Sequence, residues 1–465
     1  MQKAVFNFRN IKTKGLADMN ESKAEVLNNE SQSGGLLERF FKLKAHGTSV
    51  KNEMIGGITT FATMAYIIFV NPQIMAASGM DSGAVFVATC IGAAIGCLLM
   101  GLFANWPVGL APGMGLNAFF SFTVVSEMGY SWEVALGAVF LSGILFVGMS
   151  FYKIRQWIIE SIPESLRFSM TAGVGLFLGL IGLKTAGIVV ENPATLVSLG
   201  DFTKPDAMLA AIAFLIIAVL SERKVFGAVL IGILSVTVVG MMLGLVQYNG
   251  FFAAPPSIAP TFLAMDISGA FNISMVSVIL AFLFVNMFDT AGTLMGVAER
   301  AHLVNKETGK IEGLSKALKA DSISSVAGAC VGCPPVTSYV ESAAGVAAGA
   351  RTGLSAIVVA ALFLAAIFLS PLAGMIPAYA TAGALIYVAF VMMSSMQHVD
   401  WKDFTNGAPA AITALMMPLT FSIANGIALG FITYTVLKVA TGKTKDVSIS
   451  MYILTVVFVA KLIYI

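Results

Sequence analysis

Charged residues are scarce in this sequence of 465 residues. Asp, Glu, Lys and Arg together make up 11% of it and hydrophobic residues 57%, whereas a soluble domain carries about 25% charged residues. A soluble fold of this size could not cover its surface with so few charges. The composition therefore excludes a soluble enzyme, a nucleic-acid-binding protein and a disordered scaffold as descriptions of the whole chain.

Residues that serve metal binding, redox chemistry and nucleotide hydrolysis are also rare. The four cysteines do not form a disulfide framework, and Cys330 and Cys333 lack the second pair or the neighbouring histidine that a zinc site needs. The three histidines, His46, His302 and His398, lie outside the apolar segments, and no P-loop is present. We therefore expect no metal, no cofactor and no enzymatic activity, and an enzyme acting inside the membrane ranks as the weakest alternative.

Charges are absent from long stretches of the chain, among them residues 54–80, 82–126 and 352–399. A helix needs about 20 mostly apolar residues to cross a bilayer, so most of these stretches hold one or two crossings. Apolar runs, and the polar, Gly and Pro residues that separate them, predict fourteen membrane segments. These are residues 54–73, 83–104, 114–126, 132–152, 167–186, 207–220, 224–244, 273–296, 317–333, 337–350, 353–371, 379–396, 405–420 and 422–440. A last apolar stretch, 449–465, is either interfacial or a further crossing.

The basic residues indicate how these segments are oriented. With the N-terminus in the cytoplasm, 24 of the 27 Lys and Arg residues fall on the cytoplasmic side. Only Lys184 and Lys204 fall on the opposite side, and Lys461 lies in the last apolar stretch. Because a wrong number of crossings would scatter the basic residues, the pattern supports fourteen crossings of the inner (plasma) membrane with a cytoplasmic N-terminus.

The N-terminal region is polar and mixed in charge. Residues 1–35 lack the apolar core of a signal peptide and predict a disordered cytoplasmic leader. Residues 36–53 follow as an amphipathic lead-in, in which Leu, Phe and Lys fit a short interfacial helix. An ordinary helical approach to the first crossing explains the same pattern equally well.

Seven plus seven crossings place the two halves of the chain in opposite orientations, and short matches between the halves suggest a repeat. The matches are FVNPQ at 69–73 with FVNMF at 284–288, VGLAP at 108–112 with VGCPP at 331–335, and TAG at 171–173 with TAG at 381–383. Their offsets of 215, 223 and 210 residues keep one order along the chain. Inverted repeats are typical of secondary transporters, whose substrates bind near the midplane at the repeat interface.

Two segments in corresponding places are interrupted by Pro and Gly. Residues 105–117 (NWPVGLAPGMGLN) open the third segment, and residues 328–338 (GACVGCPPVTS) precede the tenth. Such runs do not continue a helix, and irregular backbone at membrane depth is tolerated where it lines a cavity or is covered by protein. We expect both broken segments to border a binding site; re-entrant loops with purely structural roles are the alternative.

Two acidic residues lie deep inside apolar segments. Asp289 belongs to the eighth segment and Glu341 to the tenth. A carboxylate at membrane depth is costly and usually functional, so both are candidates for substrate binding and proton coupling, with structural hydrogen bonding as the alternative. Asp321 in the ninth segment lies nearer the cytoplasmic end, and we expect it to be an ordinary interfacial charge. Further groups complete the candidate pocket: Asn71, Asn117, Ala118, Thr293, Thr337 and Ser338.

Four separated motifs carry a resemblance to a known family. They are GTSVKNEMIGGITTFATMAYIIFVNPQIM from Gly47, GLAPGMGLNAFFSF from Gly109, FDTAGTLMGVAERA from Phe288 and TSYVESAAGVAAGARTGL from Thr337. Over roughly residues 36–465 they resemble the AzgA-like purine permeases. These are the adenine/guanine/hypoxanthine branch of the nucleobase:cation symporters, which are related to the xanthine/uracil permeases.

The resemblance implies a uracil-permease-like, all-helical fold with two domains. Residues 54–152 and 273–371 would form the core (transport) domain, residues 167–244 and 379–440 the gate domain, and residues 441–465 a tail. It also implies import of purine nucleobases driven by the proton gradient, without a cofactor. A homodimer through the gate domain is a further expectation.

The resemblance also assigns roles to single residues. The family's binding acids fall on Asp289 and Glu341, and its polar positions in segments 1 and 3 fall on Asn71 and Asn117. Related uracil carriers have a histidine where this chain has Thr293, so a proton role for that position does not carry over. An anion transporter or channel of the same architecture is the main alternative. Such a protein would favour a cationic site, whereas the candidate residues at the midplane are acidic.

Overall fold

The structure, a computed structural model, describes residues 35–151, 162–304 and 311–464. The leader predicted over residues 1–35 lies outside this part of the chain apart from Gly35. The first half contains the helices α1 (Leu36–Phe41), α2 (Val50–Met64), α3 (Ile67–Ala76), α4 (Ser82–Leu99), α5 (Met114–Ala118), α6 (Trp132–Phe151), α7 (Glu164–Thr185), α8 (Pro205–Glu222) and α9 (Ala228–Met242). The second half contains α10 (Ile267–Ala270), α11 (Ile273–Arg300), α12 (Leu314–Val331), α13 (Ser342–Ala347), α14 (Gly353–Ala366), α15 (Ser370–Met375), α16 (Ala378–Met393), α17 (Phe404–Leu419), α18 (Ile423–Ala440) and α19 (Ile449–Tyr464).

Helical stretches occupy all fourteen places at which the sequence predicts a membrane segment. Within the described residues, nine are long and apolar enough to cross a membrane, beginning with Val50–Ala76, which joins α2 and α3. The others are short or carry several charges, as in α12. The protein is therefore a mostly helical membrane protein with several apolar spans, and the number fourteen remains a prediction.

Two short strands bring the interrupted segments of the two halves together. Strand β1 (Leu110–Pro112) pairs antiparallel with β4 (Val336–Ser338), and each strand precedes a short helix, α5 or α13. The backbone N–H of Gly113 donates to Pro335 O (3.0 Å). These bonds satisfy the non-helical backbone within the protein, as an apolar environment requires. A separate hairpin of β2 (Val189–Asn192) and β3 (Leu196–Leu199) follows α7.

Glycines on α4 and α12 make room for β4. The sequence GAAIGC at 92–97 returns as GACVGC at 328–333, a repeat that the sequence analysis missed. A methyl group on the first glycine of either copy would lie 2.7 Å from a side-chain atom of Cys333 or Val336. Small residues at these positions therefore allow the helices to approach the strand closely.

Helix contacts divide into two groups. In one, α2 packs on α14, α4 packs on α12 and α14, and α6 packs on α11 and α12. In the other, α7 packs on α16 and α17, α8 packs on α9 and α16, and α17 packs on α18. Fewer contacts join the groups, chiefly those of α7 with α5 and α11, of α18 with α11 and of α9 with α2. A boundary between two bodies of helices thus runs past α5 and α11.

A buried carboxylate joins α2 to the start of α14. Glu53, within the predicted lead-in, belongs to α2 and is fully buried. Its side chain accepts backbone N–H groups of Arg351 (2.7 Å), Thr352 (3.1 Å) and Ser355 (3.2 Å). These groups lack partners within their own helix, and a negative charge at a helix N-terminus is favourable. Glu53 therefore fixes the turn between α13 and α14.

An ion-pair cluster joins the last helices at the end of α18. Lys438, which is 2% exposed, contacts Asp403 at 3.5 Å and Asp446 at 3.1 Å. Lys443 donates to Asp403 at 2.7 Å, and this bond, with those from Thr405, lowers the pKa of Asp403. The cluster ties the start of α17 to the end of α18, against which α19 packs.

Candidate functional site

A cleft lies at the boundary where α5 and α11 face α7 and α16. Its cavity volume is about 30 Å³, room for one or two water molecules, whereas small-molecule sites begin at about 300 Å³. The cleft must therefore widen before it can hold a small organic ligand. Asp289 and Thr171 supply the polar side chains of its lining. The rest of the lining is Gly113, Gly115, Leu116, Met170, Val174, Val285, Phe288 and Met392. A mostly apolar cleft with a few converging polar groups is typical of a small-ligand site.

Three carboxyl groups lie near one another beside this cleft. Asp289 on α11 interacts electrostatically with both Asp321 and Glu341. Ionised carboxylates only accept hydrogen bonds. The arrangement therefore suits a ligand whose N–H groups face the carboxylates.

Glu341 stands at the beginning of α13, where the broken segment after β4 returns to helix. Its Oε1 accepts a hydrogen bond of 2.7 Å from the hydroxyl of Tyr66. Tyr66 is fully buried and lies between α2 and α3. The contact between Glu341 and Tyr66 was not predicted from the sequence.

Asp321 lies at the centre of a buried hydrogen-bond network. Its Oδ1 accepts from Thr290 at 2.7 Å and its Oδ2 from Ser338 at 2.6 Å, and Thr290 also bonds Thr337 at 2.9 Å. Asp321 is fully buried, so its interpretation as an ordinary interfacial charge is wrong. The interpretation rested on the position of Asp321 along its segment, near the cytoplasmic end. That position gave no sign of the hydrogen-bond partners that α11 and β4 supply to the carboxylate. A signal was available in the small and hydroxyl residues that follow it, SISSVAGA.

Asparagines at equivalent places in the two halves bond hydroxyl groups on the next helix. Asn71 donates to Thr89 at 2.7 Å, and Asn286 donates to Ser325 at 2.8 Å. Asn117 donates to Asn71 Oδ1 at 2.6 Å. Asn71 and Asn117 therefore bond each other and do not line the cleft.

The other predicted site residues occupy the surroundings of the cleft. Thr337 and Ser338 belong to β4 and to the Asp321 network. Ala118 ends α5 and is fully buried, and Thr293 is buried one turn beyond Asp289 on α11. Thr171, noted in the sequence only as a repeat match, enters the site as a lining residue.

Comparison with known proteins identifies similar transporters. Residues 51–429 match the Xan_ur_permease model, described as a permease family. Adenine permease AdeP of Escherichia coli is 51% identical over 436 residues, which cover 94% of this chain and 98% of the relative. Guanine/hypoxanthine permease PbuG of Bacillus subtilis is 45% identical over 440 residues, covering 92% and 100%.

Solved structures with the same fold are more distant in sequence. The transmembrane domain of the cyanobacterial bicarbonate transporter BicA matches with a TM-score of 0.61 and 16% identity, covering 80% of this chain and 96% of that domain. The murine anion transporter Slc26a9 matches with a TM-score of 0.60 and 11% identity, covering 84% and 68%. At these identities the likeness shows the fold alone.

Proposed function

Because the chain belongs to the xanthine/uracil permease family, we propose that it imports purine nucleobases (adenine, guanine or hypoxanthine) as a proton symporter. The observation that carries the proposal is the apolar cleft lined by Asp289 and flanked by two further carboxyl groups. The relatives named above are permeases for adenine and for guanine/hypoxanthine, which supports the substrate class.

The proposed architecture has fourteen crossings of the inner membrane and a cytoplasmic N-terminus. Residues 54–152 and 273–371 form the core domain, and residues 167–244 and 379–440 form the gate domain. The two groups of helix contacts support this division. Substrate then binds at the boundary between the domains, and movement of the core against the gate exposes it to each side in turn. A homodimer through the gate domain belongs to the same proposal.

Recognition of a purine follows from hydrogen-bond chemistry. A purine presents ring N–H groups, and adenine and guanine add an amino group, whereas ionised carboxylates only accept hydrogen bonds. In the proposal, Asp289 and Glu341 accept from these groups and one of them carries the coupled proton. The Asp321 network positions Thr337 and Ser338, the Asn71–Asn117 pair positions Ala118, and Thr293 lies beside Asp289.

Uptake of labelled adenine, guanine and hypoxanthine in cells that lack their own carriers tests the substrate class. We expect saturable uptake of at least one of the three, with inhibition by unlabelled purines and none by uracil or inorganic anions. Inhibition by bicarbonate or chloride, without inhibition by any purine, would support the anion transporter of the same architecture and overturn the proposal.

Hydrogen bonds link the core domain to the gate domain, or to the segment just before its residue 379, at one end of the boundary. The Gln73 side chain donates to Ile376 O at 2.7 Å and accepts from Thr381, and Thr123 donates to Phe421 O at 2.7 Å. In the proposed topology all five residues lie toward the extracellular side. These bonds must break before the cleft opens outward, so they stabilise the state that is closed on that side.

Removing these bonds should shift the protein toward the outward-open state. The variant Gln73→Ala loses two hydrogen bonds worth about 1 kcal/mol each, so we expect at least about fivefold faster labelling from outside of a cysteine placed at Thr171. A membrane-impermeant thiol reagent provides the measurement. Ser235→Ala, which removes a hydroxyl bonded within its own helix, serves as control. Equal labelling rates in all three proteins would contradict the expectation.

A further inference from the structure

Tyr66 lies at a local distortion of the span Val50–Ala76, between α2 and α3. Helix α2 ends at Met64 and α3 begins at Ile67. Tyr66 is fully buried although its side chain carries a hydroxyl group. Buried hydroxyl groups need a hydrogen-bond partner, and here the partner is the carboxylate of Glu341, 275 positions away along the chain. At this position the hydroxyl group of Tyr66 therefore donates a hydrogen bond to Glu341, which belongs to a distant part of the chain.

The side chain of Glu341 is oriented by Tyr66, which lies between α2 and α3. Glu341 precedes the first residue of α13, but its side chain makes no capping hydrogen bond to that helix. Tyr66 donates to its Oε1 at 2.7 Å. Thr63 lies 3.4 Å from its backbone carbonyl but donates its one hydroxyl proton to Thr60 O at 2.8 Å. The hydrogen bond that reaches Glu341 from this region is thus the one from Tyr66.

We propose that Tyr66 is a positioning residue for purine recognition: its hydroxyl occupies one oxygen of Glu341 and directs the other oxygen to an N–H group of the base. The inference rests on the proposed role of Glu341. A carboxylate offers about four acceptor positions, and an unrestrained glutamate distributes them over several rotamers. A fixed carboxylate loses less conformational freedom when the substrate binds, so the hydroxyl contributes to affinity without contacting the substrate.

The variant Tyr66→Phe tests this role because it removes the hydroxyl and keeps the ring. Because a hydrogen bond to a charged group is stronger than one between neutral groups, we expect the KM for adenine or hypoxanthine to rise at least about tenfold. Vmax per folded transporter should change by less than about twofold. The matched control is Tyr379→Phe, since Tyr379 is 5% exposed and its hydroxyl has no hydrogen-bond partner within the described residues.

A double-variant cycle separates positioning from general packing. The dissociation constants for labelled adenine and hypoxanthine are measured on purified wild type, Tyr66→Phe, Glu341→Gln and the double variant. If Tyr66 acts through Glu341, Tyr66→Phe has no further effect once Glu341 is replaced. Glu341→Asp provides a second route, because its shorter side chain withdraws the carboxylate from Tyr66 and should make affinity insensitive to Tyr66→Phe.

The outcomes distinguish the inference from the function on which it rests. A wild type that neither binds nor transports any purine overturns the proposed function. A wild type that transports purines, with an unchanged KM in folded Tyr66→Phe, overturns only the role of Tyr66. The role of Tyr66 is also overturned if Tyr66→Phe lowers the affinity equally in the wild-type protein and in Glu341→Gln. A decrease confined to Vmax would overturn it as well.

Discussion

We expect purine uptake to fall at least about 100-fold in Glu341→Gln and in Asp289→Asn, an effect that corresponds to about 2.8 kcal/mol. Each substitution replaces an acceptor-only carboxylate with an amide that carries two N–H donors. The amide then points donors at the N–H groups of the base and leaves the site with unpaired groups, which costs both affinity and discrimination. Initial rates of labelled adenine and hypoxanthine uptake, normalised to the amount of protein in the membrane, provide the measurement.

A matched control comes from an exposed carboxylate. The side chain of Glu191 is 85% exposed and pairs with Lys184 at 3.4 Å on the surface, so Glu191→Gln should transport normally. Exchange of labelled for unlabelled purine across the membrane adds a second readout, because exchange needs substrate binding but no net proton movement. The acid that carries the proton should retain exchange when it is neutralised. Near-normal net uptake by a well-expressed Glu341→Gln or Asp289→Asn protein would remove that residue from the site.

Asp321→Asn is the second substitution for which we expect a large loss, although Asp321 does not line the cleft. The two oxygens of Asp321 accept hydroxyl hydrogens from Thr290 and Ser338. An asparagine keeps one acceptor and places an N–H donor where the second hydroxyl donates, and a broken buried network is costly. We expect uptake to fall about 100-fold and the melting temperature in detergent to drop.

Both readouts are needed because Asp321 joins three elements, α11, α12 and β4. Radiolabel uptake gives the functional loss, and thermal unfolding followed by gel filtration gives the structural loss. Asp400→Asn, which neutralises an exposed acid of the α16–α17 connection, controls for the change of charge. Normal uptake together with an unchanged melting temperature would show that the network contributes nothing to transport.

The sequence indicated candidate residues for the site but not the contacts among them. Asp289 and Glu341 stood out because charge inside an apolar segment is expensive, and Pro and Gly marked both segments that form β1 and β4. The position of a charged residue within an apolar segment indicates its depth in the membrane. It does not show which residues of other segments contact it. The partners of Asp321 come from two other elements, and Tyr66 reaches Glu341 across 275 positions. Both contacts depend on how distant helices pack.

The repeat shows the same limit. The FVN match predicted that Asn71 and Asn286 are equivalent, and each bonds a hydroxyl on the following helix. In the second half, Asp321 lies one turn before the hydroxyl residue Ser325. When GAAIGC is aligned with GACVGC, the position that corresponds to Asp321 in the first half is Val85, which is not acidic. The halves therefore share a scaffold, while the acidic groups belong to the second half, a difference that short sequence matches do not reveal.

Proton flux in proteoliposomes tests the central claim most directly. Purified protein is reconstituted with a pH-sensitive dye inside the vesicles, and adenine or hypoxanthine is added outside without an imposed pH gradient. We expect acidification of the interior that depends on purine. We also expect labelled uptake to be accelerated by an inward proton gradient and reduced to equilibration by a protonophore. Purine uptake that moves no protons and is indifferent to the gradient and the protonophore would contradict the claim.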